Sequence, residues 1–138
     1  MLVVVDANEL FSLLIRGTKN SEEILVSNKV QLIAPEFLLL EFSNNKEEIL
    51  SKTHRTEERF NKLVSMFERR IKFISREEFE GFIPKACELI PDHAKDAEYL
   101  ALALKYNCSL WSEEKLLKKQ AEIKVFNTFE LSELLKAE

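Results

Sequence analysis

The chain has 138 residues, of which 46% are hydrophobic and 32% are charged, and its formal net charge is −4. This length suffices for one domain with one core, the apolar content excludes a disordered chain, and the negative charge argues against non-specific nucleic-acid binding driven by overall charge. The two cysteines match no metal or redox spacing, and we expect a cytoplasmic protein with no signal peptide and no membrane span.

The first segment, MLVVVDANEL, runs from apolar residues directly into Asp6. A short β-branched run of this kind predicts a strand that is buried on both faces. Helical apolar spacing follows, so Asp6 lies where a strand ends and a helix begins. In a parallel α/β sheet this position is at the carboxyl edge, where ligands bind. Asp6 is also a good helix N-cap, and because Asn8 would cap equally well, both roles stay open for Asp6.

Strands and helices alternate along the rest of the chain. Apolar spacing and the positions of Gly, Pro and capping residues predict strands at 30–35, 71–74, 108–111 and 123–126. The same signals predict helices at about 8–16, 22–27, 36–50, 57–69, 75–89 with a break near Gly81 and Pro84, 92–104, 113–120 and 128–135, with Asn20, Asp92 and Thr128 as caps. This alternation predicts an α/β fold, a three-layer α/β/α sandwich with a short parallel sheet of four or five strands.

Acidic residues from distant parts of the chain are expected to meet at the carboxyl edge of this sheet. Asp6 follows the first strand, Asp96 lies in the first turn of a helix, and the turn 112–114 (Ser-Glu-Glu) follows the fourth strand. Crowded carboxylates raise one another's pKa, and a divalent cation such as Mg²⁺ or Mn²⁺ relieves the repulsion. The alternative for acids near a helix start is a favourable interaction with the helix dipole alone.

Glu41 interrupts the apolar segment EFLLLEF. An acid on an apolar helix face is costly to bury unless it is paired or bound to metal. The alternative is that Glu41 points to solvent, and the predicted topology alone does not place it at the carboxyl edge.

The sequence resembles PIN-domain ribonucleases in four acidic motifs, which are VVVDAN, the mid-helix Glu41, KDAEYLALAL and LWSEEKLL. The resemblance spans nearly the whole chain and implies a single PIN-like domain over residues 1–138. It implies a Mg²⁺- or Mn²⁺-dependent endoribonuclease that hydrolyses RNA phosphodiester bonds. Many small members of the family are toxins of VapBC-type toxin–antitoxin pairs and are often dimeric, so the implied partners are RNA, an antitoxin protein and a second copy of the chain.

The resemblance assigns four catalytic, metal-binding acids by position. Asp6, Glu41 and Asp96 match the three core acids of the family. The fourth position usually holds Asp, whereas this chain has Glu113 followed by Glu114, of which Glu114 aligns best. This departure puts a second metal ion, or full activity, in doubt.

The resemblance also implies groups that support the four acids. Asn8 and Ser112 match positions that hold the site by hydrogen bonding. Substrate phosphates need basic neighbours, for which the candidates are Lys46, Lys52, Arg55, Arg59, Lys115, Lys118 and Lys119.

Two other classes of protein compete with a nuclease. A phosphoacceptor receiver domain is also doubly wound, but it needs an Asp at the end of the third strand, where this chain has Phe73-Ile74-Ser75. A PIN-like fold that has lost catalysis and serves as a nucleic-acid-binding or assembly module stays open, because Glu replaces Asp in the fourth motif. A metal titration separates this module from the enzyme.

Overall fold

The computed structural model describes residues 1–137 and contains one sheet of five parallel strands. The strands are β1 (Leu2–Val5), β2 (Gln31–Pro35), β3 (Ile71–Ile74), β4 (Ser109–Trp111) and β5 (Val125–Phe126). Their order across the sheet is β3–β2–β1–β4–β5. Val3, Val4 and Val5 are fully buried, as predicted for a central strand covered on both faces.

Helices flank the sheet, which confirms the predicted three-layer α/β/α sandwich. They are α1 (Ala7–Ile15), α2 (Lys19–Val26), α3 (Leu38–Asn44), α4 (Lys46–Lys52), α5 (Glu57–Arg70), α6 (Arg76–Phe79), α7 (Ile83–Leu89), α8 (Ala97–Tyr106) and α9 (Thr128–Ala137). Short 3-10 helices occupy Glu80–Phe82, Ala94–Asp96 and Lys115–Lys119. No helix within residues 1–137 is long and apolar enough to cross a membrane.

The order of the strands creates a switch point between β1 and β4. The chain proceeds from β1 to β2 and β3 on one side, and then returns to place β4 and β5 on the other side of β1. Connections leave β1 and β4 in opposite directions, which opens a crevice at their carboxyl ends, the usual ligand site of open α/β sheets. Helix α8 packs against both strands and directs its N-terminus to this edge.

Three predicted helix caps are wrong, and in two of them a nearby residue is the cap. Thr18 caps α2 in a reciprocal pair with Ser21, rather than Asn20. Asn127 caps α9, because its side-chain oxygen accepts from the N–H of Glu130 at 2.8 Å, and Thr128 is already inside the helix. Asp92 is exposed and caps nothing, since a 3-10 turn precedes α8.

Two predicted helices differ in form. The segment predicted as one helix over 36–50 is divided at Asn45, whose side-chain amide donates to the carbonyl of Glu41 at 2.9 Å and competes with the helical ladder. The segment predicted as a helix over 113–120 forms a 3-10 helix at Lys115–Lys119.

Candidate active site

Asp6 lies at the carboxyl end of β1, beside β4, and is 4% exposed. Its Oδ2 accepts a hydrogen bond from the Ser112 hydroxyl at 2.6 Å, and its Oδ1 accepts from the backbone N–H of Asn8 at 3.3 Å. The Asp6 carboxylate therefore caps α1 and also faces the crevice. Asn8 contributes its backbone N–H here, and its side chain is exposed.

Asp96 ends the 3-10 turn before α8 and is 9% exposed. Burial raises its pKa, and the negative charges of Asp6 and Glu114 raise it further, while Lys95 and His93 act in the opposite direction. Charges influence a pKa in this way only when they are close. Three acids that are far apart in the chain are therefore neighbours at this edge of the sheet.

Glu114 is tied into the turn that follows β4. Its backbone N–H donates to the Ser112 hydroxyl at 3.0 Å, and its Oε1 accepts from the N–H of Leu116 at 3.2 Å. Ser112 thus connects Asp6 and Glu114 through one hydroxyl group. The Glu114 carboxylate caps the 3-10 helix at Lys115–Lys119 and remains partly exposed.

Glu41 lies on α3 and is half-buried, between the two alternatives that its sequence position left open. It lines a cavity of about 290 Å³ between α1 and the α3–α4 pair. Its charge acts on Tyr99, whose pKa is raised by burial first and then by Asp6 and Glu41, with Asp96 contributing less. Glu41, Asp6 and Asp96 therefore all lie near the buried Tyr99 on α8.

Tyr99 and Glu9 are two residues at this edge that the sequence motifs did not single out. Glu9 is 4% exposed, and its Oε2 accepts from the Thr128 hydroxyl at 3.2 Å. Burial, and then the charge of Glu113, raise the pKa of Glu9 to about 7. The sequence does carry a signal for Glu9, since an acid within the apolar helix ANELFSLLI is unusual.

Comparison with known families gives one match over most of the chain. The model of the PIN domain family matches residues 4–132. The chain belongs to the PIN-domain family. The matched residues include the acids of all four motifs, Asp6, Glu41, Asp96 and Glu114.

A solved structure has the same fold as this chain. A chain of VapBC2 from Rickettsia felis, bound to a DNA fragment from their promoter, matches this PIN domain with a TM-score of 0.67 at 13% sequence identity. The match covers 92% of this chain and 98% of the other. No curated protein sequence matches this chain.

The donor chemistry of the PIN site suits a divalent cation, but the side chains are not arranged around one. Carboxylate oxygens are the ligands that Mg²⁺ and Mn²⁺ prefer, and a cation would offset the repulsion that raises the pKa of Asp96. In residues 1–137, no group of three or more His, Cys, Asp or Glu side chains is positioned to hold an ion. Binding of an ion therefore requires carboxylates to turn towards it, for example Glu114 away from the N–H of Leu116.

Several basic candidates for phosphate contacts have structural partners. Arg55 donates from Nη2 to the carbonyls of Leu13 at 3.2 Å and Arg16 at 2.6 Å, where it caps the end of α1. The remaining paired candidates are Lys46 with Glu57, Lys52 with Glu48 and Lys118 with Glu130. Lys115 and Lys119 are exposed on the 3-10 helix that directly follows Glu114.

Proposed function

We propose that this PIN-domain protein is a Mg²⁺- or Mn²⁺-dependent endoribonuclease that hydrolyses RNA phosphodiester bonds. The observation that carries the proposal is the placement of the nearly buried Asp6 and Asp96 at the carboxyl edge of the sheet, where the Ser112 hydroxyl also joins Asp6 to the backbone of Glu114. The charges of Asp6 and Glu114 raise the pKa of Asp96, which is in keeping with this crowding. A fold that holds repelling carboxylates at the ligand-binding switch point loses stability unless a cation binds there.

Four acids are the proposed ligands and catalytic groups: Asp6, Glu41, Asp96 and Glu114. When bound, a divalent ion supplies Lewis-acid chemistry, which neutralises charge that develops on the phosphate. Ser112 and the backbone of Asn8 restrict the orientation of the Asp6 carboxylate. Because its carboxylate is already held in place, Asp6 would lose less conformational entropy on binding a divalent cation, which favours binding.

The proposed substrate and partners follow from the family and the surface. Exposed Lys115 and Lys119 beside Glu114 are suited to RNA phosphates, and few such contacts give modest affinity that falls as salt rises. Because the structure of similar fold belongs to VapBC2, we propose that this chain is the toxin of a toxin–antitoxin pair and binds an antitoxin protein. We also propose a homodimer, for which the exposed Leu40 on α3 is the main surface candidate.

A second candidate function is a PIN-like nucleic-acid-binding or assembly module with little catalysis. It is favoured by the absence, within the described residues, of a group of three ligating side chains. The replacement of the usual Asp by Glu114 points the same way. Such a module would bind RNA without metal-dependent cleavage, so one assay distinguishes the two functions.

The testing experiment compares Asp96→Asn with Asp92→Asn on single-stranded RNA in the presence of Mn²⁺. We expect Asp96→Asn to lower cleavage by at least about 100-fold, because it removes a proposed ligand. Without metal it should melt no lower than the wild type, because one repelling charge is gone.

Asp92 is the matched control, since it is an exposed acid in the same loop and is not one of the four proposed ligands. Asp92→Asn should cleave like the wild type. Full cleavage by Asp96→Asn would refute the proposed site, and RNA binding without any cleavage by the wild type would favour the module.

A further inference from the structure

The turn 112–114 is held from two sides, and only one of them involves the acids already described. On the first side, the Ser112 hydroxyl connects Asp6 and Glu114. On the second side lies Glu9, in the first turn of α1, with Thr128 at the start of α9. The second side has no part in the proposed metal site.

Glu9 reaches this turn from a buried position. It is 4% exposed, so its carboxylate has lost nearly all contact with bulk water. The Thr128 hydroxyl donates to its Oε2 at 3.2 Å, and the backbone N–H of Glu113 lies close enough to stabilise its charged form. A buried acid is costly, and an apolar residue would fit the spacing of α1 better. Packing alone therefore does not explain a glutamate here.

Thr128 joins the other members of this network. Its hydroxyl accepts from the indole Nε1 of the fully buried Trp111 at 3.0 Å. Its backbone N–H donates to Oε2 of Glu113 at 3.0 Å. The Glu9–Thr128 network, which comprises Glu9, Thr128, Trp111 and Glu113, thus connects the starts of α1 and α9 to the last residue of β4 and to the turn that carries Glu114.

We propose that Glu9 is a positioning residue that fixes the turn 112–114 and thereby the direction of Glu114, and this role rests on the proposed nuclease function. Glu114 follows Glu113 directly, and β4 is only a three-residue strand, so the strand by itself restrains the turn weakly. A displacement of about 1 Å at a reacting group lowers rates by about 100-fold. The long Glu114 side chain depends on its backbone being held.

The experiment compares Glu9→Leu with Glu9→Gln in the full chain, with Mn²⁺ and a single-stranded RNA oligonucleotide. Leucine has a similar volume but forms no hydrogen bonds, whereas glutamine can donate to the Thr128 hydroxyl and accept from the N–H of Glu113. We expect Glu9→Leu to lower kcat by about 10- to 100-fold with KM changed less than about threefold. Glu9→Gln should retain most of the wild-type kcat.

Trp111 gives a second readout, because it is the one tryptophan of the chain. Loss of the network changes the hydrogen bonding of its indole through Thr128, so Glu9→Leu should shift its fluorescence emission and Glu9→Gln should not. If Glu9→Leu fails to fold, Thr128→Val replaces it, since valine has the shape of threonine without the hydroxyl. The same loss of kcat and the same shift are expected.

Three outcomes would overturn the proposal. If Glu9→Leu shifts the emission but keeps the wild-type kcat, the network is structural only. If Glu9→Gln loses as much kcat as Glu9→Leu, the charge of Glu9 matters and not its hydrogen bonds. If the wild type itself neither binds Mn²⁺ nor cleaves RNA, the proposed function fails and the role of Glu9 fails with it, a result distinct from a loss confined to the Glu9 comparison.

Discussion

Asp6 combines two roles that the sequence presented as alternatives. One carboxylate oxygen accepts from the N–H of Asn8 and caps α1, while the other accepts from the Ser112 hydroxyl. A carboxylate has lone pairs for several donors, so capping does not prevent contact with a ligand. Substitution of Asp6 would therefore disturb both a helix and the site, and Asp96 is the better position at which to test catalysis.

Glu9 should make the stability of the protein depend on pH. Its pKa rises from 4.5 to about 7 on folding because of burial and the nearby charges of Glu113 and Asp6. Arg16 is the basic residue that lines the same cavity as Glu9. The folded state then binds more protons than the unfolded state between these values, so stability falls as pH rises from 4.5 to 7. The cost above pH 7 is at most about 3 kcal/mol.

Glu9→Gln removes this titration. In the presence of a metal chelator, the free energy of unfolding of Glu9→Gln, measured by urea denaturation, should equal that of the wild type near pH 4.5. Above pH 7 it should exceed the wild-type value. Glu47→Gln is the control, because Glu47 is an exposed acid in the first turn of α4. A difference between Glu9→Gln and the wild type that does not vary with pH would contradict the assignment.

At the scale of single residues, the sequence predicts best those positions that do not depend on strand order. Asp6 and Asp96 were expected at the carboxyl edge, because any parallel sheet gathers strand ends and helix starts there. Tyr99 and Glu9 were not found, because their importance depends on which side chains surround them in space. Asp92 was a wrong cap, since a 3-10 turn delays the start of α8.

At the scale of elements, the end of α1 is built around Gly17. Gly17 has φ +70°, and a Cβ there would lie 3.1 Å from Oε1 of Glu22 and 3.2 Å from Nη2 of Arg55. Arg55 and Thr53 also bind the last carbonyls of α1, so this end is fixed tightly. We expect Gly17→Ala to lower the free energy of unfolding by about 1–2 kcal/mol in urea, because alanine is strained at positive φ.

Gly81 provides the matched control, since a Cβ there would meet no atom within 4 Å. Gly81→Ala should leave stability unchanged or raise it by up to about 1 kcal/mol, because it restricts only the unfolded chain. Equal losses from both substitutions would contradict the explanation from backbone strain.

Long periodic elements were easier to predict than short ones. The helix predicted over 57–69 is observed at Glu57–Arg70. The division at Asn45 and the 3-10 form of Lys115–Lys119 were not predicted, because each depends on local hydrogen bonds of one side chain, such as that of Glu114 to Leu116. Apolar periodicity does not report such bonds.

At the scale of the whole molecule, alternation of strands and helices predicted the layers of the fold but not the order of the strands. Several orders satisfy the same pattern, and Asp6 lies next to the turn after β4 because the observed order β3–β2–β1–β4–β5 pairs β1 directly with β4. The position of Glu41 likewise depends on how α3 packs. The pattern of strands and helices alone therefore does not place Glu41 at the carboxyl edge of the sheet.

The surface of α3 is the proposed homodimer face. Leu40 is 67% exposed and, with the half-buried Phe37 and Leu39, lines a groove of about 590 Å³. A contiguous apolar surface is a candidate site of association. We expect Leu40→Glu to convert a dimer to a monomer in sedimentation velocity experiments.

Phe129→Glu is the control for this experiment, because Phe129 is a similarly exposed apolar residue, at 64%, on α9 instead of α3. Phe129→Glu should remain dimeric. A wild-type monomer, or a dimer that survives Leu40→Glu, would contradict the proposed face.

The most direct test of the metal-dependent site is the anomalous scattering of Mn²⁺ in crystals of the wild-type protein. We expect a peak in contact with the carboxylates of Asp6 and Asp96 and with at least one of Glu41 and Glu114. A peak bound only elsewhere, or no peak at millimolar Mn²⁺, would contradict a metal-dependent nuclease at this edge of the sheet.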